Sequence, residues 1–254
     1  MDFLLPAVFA LFVWWFGTGI VMLLDGLPRD TFRWSLVTSG LLSFGALVCI
    51  AHSAHNTTLA GAYAGFTCAV LVWGWHELAF LTGWLTGPRK RECSAPTHGP
   101  TRFSEAVQVI LWHELAIVAM GVTIAILTWG GPNQVATATF GLLWVMRLSA
   151  KFNLFLGVRN RGEAFLPPHL VYLGSYFRRR SVNALLPVSL LVGGAIAAAL
   201  ALAAFDASGA ERAGLVLVTS LLVLALIEHV LMVTPLPATL LWRWAMRPPT
   251  ATAS

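Results

Sequence analysis

The chain has 254 residues, of which 57% are hydrophobic and 11% charged, with a formal net charge of +5 and a mean hydropathy of +0.76. A soluble domain carries about 25% charged residues, so this composition excludes a water-facing globular protein and points to lipid as the solvent for most of the chain. Too few polar residues remain outside the apolar runs to build a soluble domain.

Crossing the hydrocarbon core takes about 20 apolar residues in a helix rising 1.5 Å per residue. On that measure the chain reads as an all-α, polytopic transmembrane bundle of about seven spans, at residues 3–24, 34–50, 59–86, 105–129, 135–155, 184–205 and 214–233. The second span is short and the third long, which predicts different tilts. The first has no basic residue before its apolar run, and that run is too long for a cleaved signal. One integral membrane domain, 1–246, is expected, followed by a short tail, 247–254.

The basic residues alternate from connection to connection. Arg29 and Arg33 follow the first span, and Arg89, Lys90, Arg91 and Arg102 lie between the third and fourth. Arg147, Lys151, Arg159, Arg161 and Arg178 to Arg180 surround the end of the fifth; Arg243 and Arg247 follow the seventh. Of the sixteen cations, only Arg212 falls on the other side. The positive-inside rule then puts the N-terminus outside and the C-terminus in the cytoplasm of a bacterial inner membrane. The net charge is a topology signal, and no nucleic-acid partner is expected.

Two connections are sizeable, 87–104 and 156–183. The second holds an aromatic, apolar stretch, 165–177, ending in three arginines. That pattern fits a segment lying on the inner leaflet, or a loop anchored by snorkelling arginines. Beyond the last span, Thr234-Pro235-Leu236-Pro237 breaks the helix, and Leu240 to Trp244 reads as an interface anchor. Of the eleven tryptophans, Trp14, Trp15, Trp34, Trp129, Trp242 and Trp244 fit the aromatic belts or helix surfaces. Gly17, Gly40, Gly45, Gly61 and Gly65 read as close-packing positions, with Gly61 and Gly65 in a small-xxx-small pattern.

Ionisable groups inside a bilayer cost about 2.5–3.5 kcal/mol each at a helix centre on insertion scales, and they persist when paired, liganded or wetted. Three His/Glu neighbours fall within spans: His76-Glu77, His113-Glu114 and Glu228-His229. By the topology above all three lie in the cytoplasmic half of the membrane, with Asn153, Glu163 and His169 near that face. His52 and His55 belong to the opposite side. Adjacent helical residues point about 100° apart, so each pair offers one inward ligand readily and two with difficulty.

Three readings follow. Glu77, Glu114 and Glu228 are candidate metal ligands, iron being the metal of comparable carboxylate bundles, although the Glu-x-x-His of those bundles is absent. His76, His113 and His229 are candidate axial ligands of a chlorin or haem, with Ala225 one turn before His229 leaving room for a flat ring. Trp73, Trp75 and Trp112 lie near the other two histidines. The third reading is a cross-helix hydrogen-bond network that includes Arg147 and Lys151. Polar support for any of them comes from Arg147, Lys151, Asn153, Glu163 and His169. No phosphate-binding loop, nucleophile elbow, CxxC or HExxH occurs.

The string from Leu71 through Trp73-Gly74-Trp75-His76-Glu77 to Thr86-Gly87-Pro88-Arg89 resembles the PuhE family of photosynthetic complex assembly proteins. So do His113 to Ile117, Phe140 to Trp144 with Met146-Arg147, Ser149 to Asn153, and the strings 155–158, 165–170 and 172–177. The opening Trp14-Trp15-Phe16 with Thr18-Gly19 and Asp25 to Pro28 is similar as well. The resemblance covers the chain up to about the last span. It implies a membrane factor that supports assembly of the bacterial reaction centre and light-harvesting complexes by handling bacteriochlorophyll or a precursor. The implied partners are membrane lipid and reaction-centre or light-harvesting subunits. The alternative is a membrane metal-dependent enzyme acting on a tetrapyrrole or lipid. No catalytic residue is carried over from the resemblance.

Overall fold

The computed structural model of the protein describes residues 1–94, 99–235 and 241–245. Within lipid every backbone N–H and C=O must find an internal partner, which leaves helices as the solution for apolar segments of this kind. Seven long helices result: α1 Leu4–Asp25, α2 Phe32–Ser53, α3 Leu59–Leu81, α4 Gly99–Leu127, α5 Val135–Leu156, α6 Leu185–Asp206 and α7 Gly209–Leu231. Short 3-10 helices at Arg29–Thr31, Glu163–Phe165 and Pro168–Tyr176 complete the regular structure. Among the described residues there is no strand, only an isolated bridge between Val158 and Arg179.

Six of the seven helices are long and apolar enough to cross a membrane, and the protein is a multi-pass helical bundle. The exception is α5. It has the length, 22 residues, but Arg147, Lys151 and Asn153 fall in its second half. Packing explains how it is tolerated: α5 lies against α3, α4 and α7, so its polar groups meet protein rather than lipid.

Helix ends depart from the sequence expectation in instructive ways. The second helix is not short; α2 and α3 have 22 and 23 residues, so the expected contrast in tilt loses its basis. The third stops at Leu81 because the Thr82 hydroxyl bonds back to the Leu78 carbonyl at 2.8 Å, and Gly83 then adopts φ +77°, where a side chain is strained. The fourth begins six residues early, at Gly99, because Arg102 is accommodated inside the helix. Its guanidinium bonds the Tyr176 and Phe155 carbonyls and lies 4.2 Å from the Phe155 ring centroid. The segment before α4 is correspondingly shorter than 87–104. Three helices are capped by side chains at their start: Thr58 on α3, Asn133 on α5 and Asn183 on α6, each satisfying amides that have no helical partner.

The central helix is α3, which touches α1, α2, α4, α5 and α7. One cluster joins α2 to α5 through Ile50, Val72, Trp73, Ile117 and Phe140. Another joins α1, α3 and α7 through Ala10, Phe66, Leu217 and Leu221. Lipid is as apolar as these side chains, so what holds the helices is close packing and polar contact rather than exclusion of water. By contrast α1 and α2, although consecutive, hardly touch.

The two ends of the bundle differ in charge. Arg212 pairs with Asp2 at 3.2 Å at one end. The other cationic connections gather at the opposite, basic end, where Phe32 lies beside His169 and Asn160 bonds the Leu231 carbonyl. The segment 165–177 is tied to the bundle at this end. Its Leu170, Leu173 and Tyr176 are buried against Phe80 of α3 and Val109 of α4.

Trp242 and Trp244 dock on the second half of α1. The Trp242 indole donates to the Trp15 carbonyl at 3.1 Å and the Trp15 indole to the Leu241 carbonyl at 2.9 Å, while Gly19 gives room for the Trp244 ring. Among the glycines, Gly65 does allow close approach to α5, and Gly40 to Trp75. Gly61 accommodates the Asn56 carbonyl of its own preceding turn, and nothing lies near Gly45. Leu236, Pro237, Leu240, Arg247 and the tail 247–254 lie outside the described residues.

The turn after α3 is bonded to α4: the His113 amide donates to the Thr86 carbonyl at 2.9 Å and the Arg89 amide to the Gln108 carbonyl at 3.4 Å. Gly87 makes this contact feasible, since a Cβ there would lie 1.9 Å from the Gln108 oxygen. Gly87→Ala is expected to destabilise the detergent-solubilised protein by about 1–3 kcal/mol through overpacking. Thermal unfolding checks this, with Gly45→Ala, at an open position inside α2, as the substitution that does not lower the midpoint.

Candidate functional site

The bundle encloses a cavity of about 1450 Å³ between α1, α2, α3, α4, α5 and α7. Most of its wall is apolar and aromatic, with Trp73, Trp75, Phe80, Trp144 and Phe155 among the lining side chains. Drug-sized pockets run to about 1,000 Å³; this one has room for a lipid-sized or macrocyclic molecule. It reaches the lipid-facing surface, since its wall includes Trp34 and Leu42, which are exposed side chains of α2.

The polar part of this wall is a small ionic group. Glu77 of α3 pairs with Arg147 of α5 at 3.1 Å. Glu114 of α4 pairs with Lys151 of α5 at 2.5 Å and also accepts from the Trp144 indole at 3.3 Å. Glu228 of α7 accepts from the Trp14 indole of α1 at 3.1 Å. One turn separates Arg147 from Lys151, so a single face of α5 carries both cations and meets a carboxylate from each neighbouring helix. The three carboxylates and two cations all line the one cavity. The three pairs seen in the sequence therefore converge, through their glutamates.

The histidines do not. None of His76, His113 and His229 lines the cavity, and each is at most 1% exposed. His76 Nδ1 bonds the Val72 carbonyl of its own helix at 2.9 Å. His229 Nδ1 bonds the Ala225 carbonyl at 2.8 Å, and its Nε2 meets the Ser149 hydroxyl at 3.0 Å. Since a carbonyl only accepts, Nδ1 donates in both rings. His113 lies 4.6 Å from the Phe80 ring and 3.9 Å from Glu77 Oε1, with neither ring nitrogen hydrogen-bonded. Adjacent positions on a helix point apart, so turning the glutamate to the cavity turns the histidine into helix packing. Among the described residues, no three His, Cys, Asp or Glu side chains are placed to hold one metal ion.

The supporting residues divide likewise. Arg147 and Lys151 belong to the site. Asn153 donates to the Ser149 carbonyl and to Ser189, forming with His229 a polar seam between α5, α6 and α7. Glu163 pairs with Arg161 at 2.8 Å in the basic-end connection. His169 Nε2 donates to the Leu81 carbonyl at 2.8 Å, and burial pushes this imidazole below its ordinary value.

Trp14, Trp144, Ser149 and Ser189 are parts of the constellation that sequence reasoning missed. Position is the signal that would have found Trp14. It sits at the middle of the 22-residue α1, away from both interfaces where the belt explanation applies.

Residues 1–253 match the family described as "Protein of unknown function (DUF3623)". A Rhodobacter capsulatus protein described as "Uncharacterized 30.4 kDa protein in puhA 5'region" is 39% identical over 247 residues, covering 95% of this chain and 90% of that protein. No solved structure matches the chain.

Breaking the largely buried Glu114–Lys151 pair from one side leaves an uncompensated charge, which costs about 3–5 kcal/mol, whereas removing both partners together is often nearly neutral. Glu114→Leu alone is expected to lower the thermal midpoint in detergent sharply, and Glu114→Leu with Lys151→Met to restore most of it. A double variant as unstable as the single one would show that the pair is not what holds α4 to α5.

Proposed function

This chain belongs to the DUF3623 family, and we propose that it is an inner-membrane factor supporting assembly of photosynthetic complexes by holding bacteriochlorophyll or a precursor in the bundle cavity. The observation that carries this reading is the cavity itself: about 1450 Å³, aromatic-walled, with Glu77 paired to Arg147 and Glu114 to Lys151 in its wall. The gene position stated for the Rhodobacter capsulatus relative, in the puhA 5' region, supports a photosynthetic setting. The resemblance to the PuhE family, carried by the Trp73 to Glu77 string and the others given above, supports the same setting.

The residues fit a chlorin in size and lining, and only in part in polarity. Trp73, Trp75 and Phe80 provide flat apolar surface for a macrocycle. Arg147 and Lys151 provide donors for its carbonyl oxygens. Among the described residues no imidazole lines the cavity, so none of them offers a histidine ligand to a central metal there. Held this way, a pigment is shielded from water and from its neighbours, then passed on through the weak α1–α2 contact to a reaction-centre or light-harvesting subunit in the same membrane. The basic end faces the cytoplasm in this reading, by the positive-inside rule.

The experiment is an absorption spectrum and metal analysis of the gently solubilised protein from phototrophically grown cells, beside Gly74→Phe. Gly74 lines the cavity, with only Val21 near its Cβ position, so the larger side chain occupies ligand space. The expected result is a bound chlorin in the native protein, about tenfold less in Gly74→Phe from lost cavity contact, and no stoichiometric iron. A pigment-free protein containing stoichiometric iron, with one discrete pigment precursor accumulating in a deletion strain, would overturn this reading in favour of a membrane enzyme acting on a tetrapyrrole.

A further inference from the structure

A second, smaller pocket of about 350 Å³ lies at the basic end, outside the ionic cavity. The turn after α3 forms one wall through Thr82, Gly83 and Thr86, and the 3-10 helix Pro168–Tyr176 forms another through His169, Leu170 and Tyr172. Arg29 and Phe32 close it from the start of α2, and Lys90 from the connection to α4. Gly83 holds the two walls together: its φ is +77°, and a Cβ there would lie 3.0 Å from the His169 ring.

Charge and hydrogen-bond capacity in this pocket are both one-sided. Arg29 and Lys90 are exposed cations at its rim, and among the described residues no carboxylate lines it. Lys90 spends one proton on the Gly83 carbonyl at 3.2 Å and keeps two. Thr86 is only 1% exposed, and its hydroxyl has no partner apart from the neighbouring buried Tyr172 hydroxyl. Two hydroxyls facing each other satisfy one O–H and leave the other without an acceptor, which costs about 1–3 kcal/mol, so the pair beside a cationic pocket calls for one. Burial pushes the His169 imidazole below its ordinary value, and Arg29 and Lys90 are the fixed charges.

The depth of the pocket identifies the source of that acceptor. Trp84, in the same turn, and Trp34, one turn into α2, are 65% and 63% exposed. Exposed tryptophans at helix ends sit at head-group level, and basic pockets between helices at that level take anionic head groups. We propose that this pocket binds the phosphate of an anionic membrane lipid, with Arg29 and Lys90 supplying charge and the Thr86–Tyr172 hydroxyl pair donating one hydrogen bond.

The test is thermal unfolding of the full-length protein in neutral micelles titrated with phosphatidylglycerol, phosphatidylcholine or inorganic phosphate. The native protein is expected to gain a saturable rise in its midpoint with phosphatidylglycerol alone. In Arg29→Gln with Lys90→Gln, the concentration needed should increase roughly tenfold or more, given the worth of two cations at a membrane surface. Thr86→Val should weaken the response with the charges in place. Arg33→Gln with Arg91→Gln, which removes two exposed cations outside the pocket, should leave it unchanged. An equal rise with phosphatidylcholine, or an equal loss in this control pair, would overturn the site. An equal rise with inorganic phosphate would overturn the lipid as its source. None of these readouts involves a pigment, so the result stands apart from that of the cavity.

Discussion

Charge in a medium of low dielectric has to meet its opposite, and in this bundle that requirement falls on α5. Its two cations, Arg147 and Lys151, are one turn apart and engage Glu77 of α3 and Glu114 of α4. A pair of unit charges a few ångströms apart interacts far more strongly here than in water, while each charge alone would be expelled. The pairs are therefore selective rather than simply stabilising. They fix the rotation and the height of α5 against both neighbours, because a slip of one residue would turn a cation by about 100° into lipid. Apolar packing between membrane helices carries no such register, since one leucine face resembles another.

Much of this was legible in the sequence, for reasons that differ from element to element. The long helices and the basic end followed from runs of apolar residues and from where Arg and Lys fall, because lipid thickness and charge both act locally along the chain. That Glu77, Glu114 and Glu228 need polar company followed from the cost of burying a carboxylate. What could not be read was whether they share one site, which depends on the direction of each side chain about its helix. The sequence sets a His beside each of these three glutamates, and only rotation in the bundle decides that the glutamates line the cavity while His76 and His229 bond their own helices. Helix ends failed where a distant partner rescued a charge. Arg102 lies inside α4 because Tyr176 and Phe155, far along the chain, offer it carbonyls.

The tryptophans illustrate the same limit from another side. A Trp is amphipathic, and at a helix end the interface explains it. Trp14 and Trp144 lie deeper, and each donates its indole proton to a carboxylate, Glu228 and Glu114 respectively. A carboxylate that accepts from an indole keeps its remaining lone pairs for a second partner. The wall of the cavity is thus apolar in bulk while offering a few fixed hydrogen-bonding positions, the combination by which pockets orient a largely hydrophobic guest.

The docking of Trp242 and Trp244 on the second half of α1 has a bearing on biogenesis. Residues 241–245 are translated after all seven helices, yet they pack on the first helix to be made, and Trp242 closes part of the cavity wall. While the ribosome is still working through α2 to α7, that flank of α1 is uncovered, so the bonding of Trp15 with Leu241 and Trp242 is a late, post-insertion event that completes one side of the cavity wall.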